Sequence, residues 1–233
     1  MSAIIERANG QTHGKVPKVG RPRANPRQLE RPPEEEILVE AARLFTSKGF
    51  SATSTREIAE AAGLRQPSLF HYYPKKERIL ETLLRRVAEW TLDFAEQLDR
   101  VDAPASAKLY RLLYFDVHSA CASPHPVHAI LLLPEARPPA FPAYWVSDRR
   151  LTELLRDLVA RAISEGDLRA TDVALTARSL RSLAASTATW ATDCEGRSPE
   201  AIAGHVVGKE LRALLEDPDR LDSLRQQALA LKI

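Results

Sequence analysis

The chain of 233 residues has room for one large domain or two small ones, and its 44% hydrophobic content is enough to bury a core. No apolar run approaches the roughly 18–20 residues that span a bilayer, and the opening "MSAIIERANG" lacks an apolar signal core. Cys121 and Cys194 form no CxxC motif, so no disulfide framework is expected and a reduced, cytoplasmic protein without a membrane partner is the simple expectation.

The net charge of +2 is unevenly spread, because residues 1–33 hold seven Lys or Arg against two Glu. A flexible basic arm, residues 1–32, therefore precedes a mildly acidic body, and such arms commonly bind polyanions, nucleic acid first among them. After residue 33 the apolar spacing is helical almost throughout. Ile37, Ala41, Leu44 and Phe45 give the first helix one apolar face; Glu34 to Glu36 suit its N-terminal dipole, and Lys48 then Gly49 close it. "SATSTREIAEAAG" opens the second helix with a Ser54-x-x-Glu57 capping box; Ile58, Ala59 and Ala62 point inward and Gly63 stops it. The third helix is predicted over Gln66 to Tyr72, with Pro67 tolerated in its first turn and Pro74 ending it after Tyr73. A long helix is predicted from Lys75 to about Arg100, then helices over roughly 105–122, 126–133, 143–165, 171–194, 199–216 and 218–231. The expected fold is all-α: a helix-turn-helix domain, residues 33–80, fused to a larger helical domain, residues 81–233.

On a helical wheel Leu69 and Tyr73 face the first two helices, whereas Pro67, Ser68, Phe70 and His71 face away. An exposed face with Phe and His but no charge suits a groove edge, and recognition helices place their N-terminal residues against base edges. Arg65 is a poor N-cap for this helix, which leaves it free to reach DNA. Lys75 and Lys76 occupy a first helical turn, where the dipole disfavours cations; a phosphate bound there would reconcile them with the local rule.

At these residues, about Ile37 to Leu80 and above all "TSTREIAEAAGLRQPSLFHYYPKKERIL", the chain resembles the tetracycline-repressor (TetR) family of bacterial transcription regulators. The resemblance implies phosphate contacts from Thr55, Tyr72 and Lys76. It also implies base contacts from Arg56, Gln66, Pro67 and Ser68, with Phe70 and His71 packing against sugar or base. Gln can pair bidentately with adenine and Arg with guanine, so these residue types fit those roles. The family usually carries tyrosine where this chain has Phe70, so a hydroxyl contact is lost there. Upstream, "KVGRPRANPR" resembles an AT-hook core, whose Arg21 and Arg23 would enter an A·T-rich minor groove.

The resemblance further implies that residues beyond about 81 bind a small effector and form a homodimer. Trp90, Phe94, Tyr110, Tyr114, His118 and Trp145 lie where an apolar pocket with polar tips would form, and core packing explains each of them equally well. The predicted helices 171–194 and 199–216 are suited to packing against their twins as a four-helix bundle. His118, Cys121, His125 and His128 are interrupted by Pro124 and Pro126, so they are not expected to share a metal. No cofactor is expected. The function these features imply is a ligand-responsive repressor of a double-stranded DNA operator, released by a small molecule. The competing reading is an all-helical enzyme or adaptor, but no nucleophile–base pair, phosphate loop or paired carboxylates stand at telling spacings.

Overall fold

Residues 31–123, 127–137 and 140–232 are described by a computed structural model of the chain, and every regular element among them is helical apart from one isolated bridge between Leu168 and Leu215. The arm with Arg21 and Arg23, and His125 with its flanking prolines, lie outside the described residues. The chain divides into two compact units with the boundary between Leu80 and Glu81.

In the first unit, α1 (Pro33–Lys48) begins on a proline whose missing N–H is no loss in a first turn, and it carries Glu34, Glu35 and Glu36 at its positive end. α2 (Thr55–Ala61) opens with the complete Ser54–Glu57 capping box. Gly63 takes a left-handed φ of 65°, which lets the Leu64 N–H donate back to Ala59 O at 2.7 Å and the Gly63 N–H to Glu60 O at 3.1 Å. That closure, which an L side chain would strain, turns the chain into α3 (Gln66–Tyr72). Ile37, Ala41, Phe45, Ile58 and Leu69 are all fully buried. The Tyr73 hydroxyl donates to Glu34 Oε1 at 2.9 Å, tying the end of α3 to the start of α1.

α4 (Lys76–Asp99) begins before the unit boundary and continues beyond it. The second unit is organised around α5 (Ala105–Ala122), against which α6 (Pro142–Ser164), α8 (Leu183–Ala188), α9 (Pro199–Leu214) and α10 (Leu221–Leu229) pack, while α7 (Val173–Arg181) lies on α6. Leu109, Tyr110 and Val117 of α5 meet Leu155 and Val159 of α6 and Val207 and Leu211 of α9 in one buried cluster.

Three expected helices take a different form. The segment 126–133 holds a 3-10 helix, Val127–Leu132, because Pro134 forces Leu133 out of helical geometry (ψ 137°) and leaves too few residues for an α-helix. The expected single helix 171–194 starts at Val173 after the Asp172 cap, breaks at Ser182 between α7 and α8, and ends in a 3-10 turn, Ala191–Asp193. There the Ser182 and Thr189 hydroxyls bond to carbonyls three residues back, at 2.7 Å each, in competition with the helical ladder. The segment 218–231 opens as a 3-10 turn, Pro218–Arg220, before α10.

Candidate nucleic-acid interface and effector region

The outer face of α3 presents Pro67, Ser68, Phe70, His71 and Tyr72 to solvent, with Phe70 43% and Tyr72 40% exposed. Leu69, between them, is fully buried. Leaving two large rings half in water forfeits burial worth about 25 cal/mol per Å² of apolar surface. The His71 and Tyr72 rings meet edge-on at 5.7 Å. Gln66 Nε2 donates to Thr55 Oγ1 at 3.0 Å, so the first residues of α2 and α3 brace each other and the Gln66 amide keeps a second donor and its oxygen for another partner. Arg56 Nε donates to Glu60 at 2.8 Å on an exposed edge of α2. Arg65 is exposed and makes no side-chain cap, as its sequence position suggested.

Lys75 and Lys76 look alike in sequence, and the structure separates them. Lys75 is exposed. Lys76 Nζ donates to Phe50 O at 2.6 Å and Thr53 O at 2.7 Å and sits 4.3 Å from the Phe50 ring centroid. Hydrogen bonds to a charged group contribute about 1.5–3 kcal/mol each, against about 0.3–1 kcal/mol lost to the helix dipole. The lysine therefore holds the α1–α2 loop, and its place in a first turn needs no phosphate to account for it. Glu57 plays a matching part at the other side of that loop. The Lys48 ammonium first, then the Ser54 backbone N–H, bring its carboxyl down to about 2.

In the second unit the six expected pocket residues form three groups instead of one wall. Trp90 and Phe94 stack on Phe115, at 5.8 and 3.7 Å. Tyr110, Tyr114 and His118 form a ladder along α5, at 6.3 and 5.8 Å, with Tyr110 fully buried as a core residue. His118 Nε2 lies 3.1 Å from Glu200, whose carboxyl is lowered to about 2 chiefly by that contact. Trp145 packs edge-on against Tyr144 at 4.9 Å.

The sequence model of the bacterial regulatory proteins of the tetR family matches residues 37–83. The crystal structure of Mycobacterium smegmatis AmtR superposes with a TM-score of 0.72 at 30% identity, covering 89% of this chain and 99% of that one. The chain belongs to the tetR family. The HTH-type transcriptional repressor KstR2 of Mycobacterium tuberculosis is 39% identical over 71 residues, 30% of this chain, and the match spans about a third of that relative's length (34%). The structure of AibR in complex with isovaleryl coenzyme A and operator DNA shares the fold, with a TM-score of 0.64 at 20% identity over 76% of this chain and 97% of that one.

What sequence reasoning missed in this tetR-family chain is a buried polar network. The Thr91 hydroxyl of α4 donates to Asp116 Oδ1 at 2.8 Å; Asp116 Oδ2 faces Arg181 at 3.7 Å; Arg181 donates to Asp148 Oδ1 at 3.0 Å. His128, 1% exposed, lies 3.6 Å from Asp116. Burial alone would raise the Asp116 carboxyl, yet His128, Arg181 and Thr91 together hold it below its ordinary value. Burial would likewise lower Arg181, and the Asp116 and Asp148 charges reverse that. Burial, aided by Asp148, pushes the Tyr144 hydroxyl up. One signal was available, since Asp116 follows Leu112 and Leu113 and precedes Ala120 on the buried face of α5. A charge at such a position demands a buried partner. Arg181 and Asp148 could not be named from it, because they come from other helices.

Proposed function

We propose that this tetR-family chain is a DNA-binding transcriptional repressor that acts as a homodimer and leaves its operator when a small molecule binds. The observation that supports this best is the outer face of α3: uncharged, aromatic, exposed, and led by a Gln66 amide braced on Thr55. In this reading residues 33–80 bind DNA. Arg56, Arg65, Gln66, Pro67, Ser68, Phe70 and His71 meet bases or sugars in the major groove, and Thr55, Tyr72 and Lys75 meet phosphates. Lys76 acts indirectly, by fixing the loop before α2. The arm adds Arg21 and Arg23 in the minor groove. KstR2 is named a transcriptional repressor, and AibR was solved with isovaleryl coenzyme A and operator DNA, in keeping with this assignment.

Residues 81–233 serve effector binding and self-association, and catalysis is not part of the role. Leu183, Trp190 and Val206 line a shallow groove of about 270 Å³, and Trp190 is 38% exposed; this surface on α8 and α9 is the candidate face for the twin. Among the described residues no helix is long and apolar enough to cross a membrane. α4 is the continuous link between the two activities, tied at Lys76 to the α1–α2 loop and at Thr91 to Asp116. An effector can release DNA only by preferring the DNA-incompetent arrangement, and moving occupancy from 99:1 to 1:99 takes about 5.5 kcal/mol of preference.

The test is a mobility-shift titration of the full chain against DNA flanking its own gene, with two half-sites about one helical turn apart as the expected footprint. A chain that retards no flanking fragment above the level of random DNA contradicts the assignment.

A further inference from the structure

We infer that the effector is a small organic anion and that it binds in a cleft between α6 and α7, with its charged group on Arg178 and Arg181 and its apolar body against Trp145. This rests on the proposed role as an effector-responsive repressor and adds to it the place and chemical class of the ligand. The cleft encloses about 520 Å³, within the several hundred Å³ usual for small-molecule sites.

Its lining is charged. Arg149, Arg156, Arg178 and Arg181 line it together with two carboxylates, Asp148 and Glu153. Asp148 is already engaged by Arg181 at 3.0 Å. Three arginines with no ion pair among the described residues are therefore left to one carboxylate. A row of arginines alone is an ordinary solvated surface, and two buried donors set this cleft apart. The Nε of Arg181 and the Nε1 of Trp145 are both buried and both lack a hydrogen-bond partner among the described residues. An unmade hydrogen bond on a buried donor costs about 1–3 kcal/mol, and of the nine buried side-chain atoms without a partner among the described residues these two line the cleft. Both orphans are N–H groups, and both belong to residues lining the same cleft.

The cleft is also rigid. The Arg181 guanidinium is clamped between Asp116 and Asp148, and Asp116 is itself fixed by the Thr91 hydroxyl. A planar donor fork held in this way is organised before the ligand arrives, which spares the ordering cost that a free side chain would incur. Asp116 and Asp148 also offset the charge of Arg181. The net attraction for an anion thus comes from Arg149, Arg156 and Arg178 at the rim, and the positioning comes from Arg181. The volume exceeds that of an inorganic anion, and the Trp145 indole offers an apolar wall, so the anion is carried on an organic body. Carboxylates and phosphoryl groups share the recognised chemistry, two or more oxygens that accept from an arginine fork.

The experiment uses the full chain, isothermal titration calorimetry at fixed ionic strength, and three probes with one ring system: 2-naphthoate, 2-naphthyl phosphate and the uncharged 2-naphthalenemethanol. At least one of the two anions is expected to bind at least 10-fold more tightly than the alcohol. Naphthoate alone assigns a carboxylate effector, naphthyl phosphate alone a phosphoryl one, and both together an anion site indifferent to the group. The double variant Arg156→Gln/Arg178→Gln, at two exposed positions, should lose at least 10-fold in anion affinity while its operator shift without probe stays as in the parent. Trp145→Phe, which keeps a ring and deletes the N–H, should weaken the same anion by several-fold. The inference is overturned if neither anion binds, if the alcohol binds as well as the anions, or if the double variant binds them unchanged. Anion binding that leaves operator affinity untouched overturns the effector assignment. A chain that binds anions in this cleft but retards no DNA refutes the repressor role instead.

Discussion

The two units place their polar chemistry in opposite ways. The first buries an apolar core of Ile37, Phe45, Ile58 and Leu69 and holds its proposed DNA-contacting groups outside, on α3 and at the start of α2. The second buries charge, with Asp116 and Arg181 paired inside, while Phe94 and Phe115 stack on one another half-buried. The family's sequence model follows nearly the same division, covering residues 37–83 and ending three residues into the second unit. In the proposed function the first unit meets a nucleic-acid backbone, a chemically uniform partner that one recurring surface can serve. The proposed effector would instead need a site of its own shape, assembled from helices distant in sequence.

The sharpest way to break this comparison is Asp116→Ala. Removing one member of a buried charge pair typically costs about 3–5 kcal/mol, so a full-chain thermal melt should show a large loss. An unaltered melt would mean that the second unit does not depend on its buried charges. Next in size is Lys76→Met, which deletes both hydrogen bonds to the Phe50 and Thr53 carbonyls and should cost about 3 kcal/mol of stability, the lower end for each bond because the lysine is only half-buried. Its neighbour provides the control. Lys75→Ala should leave stability unchanged and reduce the slope of log K against log[salt] by about 0.9 per subunit. If the two lysines exchange these phenotypes, the division of labour drawn between them is wrong.

Gln66→Ala should remove about 1–3 kcal/mol of discrimination at one base pair in each half-site, read by competition with operators varied one position at a time. A loss uniform over all sequences would move Gln66 to the backbone-contacting class. The smallest effect is expected from acid. Glu57 is held at about 2 in the folded chain, below its ordinary value of 4.5. The stability it contributes is therefore complete above about pH 4.5 and is lost as pH falls toward about 2. The difference in melting midpoint between the parent and Glu57→Gln should accordingly narrow between pH 5 and pH 2–3, and a constant difference would show that the carboxylate is not what the Lys48 contact stabilises.

Much of the first unit was legible because its determinants are local. The capping box at Ser54 and Glu57, the left-handed Gly63, and the inward Leu69 and Tyr73 each depend on residues within a few positions, and each stands where local chemistry put it. The same locality explains where expectation failed. Lys75 and Lys76 are adjacent and identical in kind, and what separates them is a loop more than twenty residues earlier in the chain, which a local rule does not see. The helix expected over 171–194 was broken by hydroxyls whose choice between ladder and side-chain bonding periodicity does not report.

By itself the sequence determined the helical character of the chain, the ends of α1 to α3 and the exposed face of α3, because hydrophobic period, caps and turn residues act over one or two helical turns. Tertiary structure alone decided that Lys76 faces inward, that the middle aromatics form separate stacks, and that Thr91, Asp116, Asp148 and Arg181 meet. A buried ion pair is chosen by which helices pack together, and that packing depends on residues far apart in the chain rather than on a local pattern.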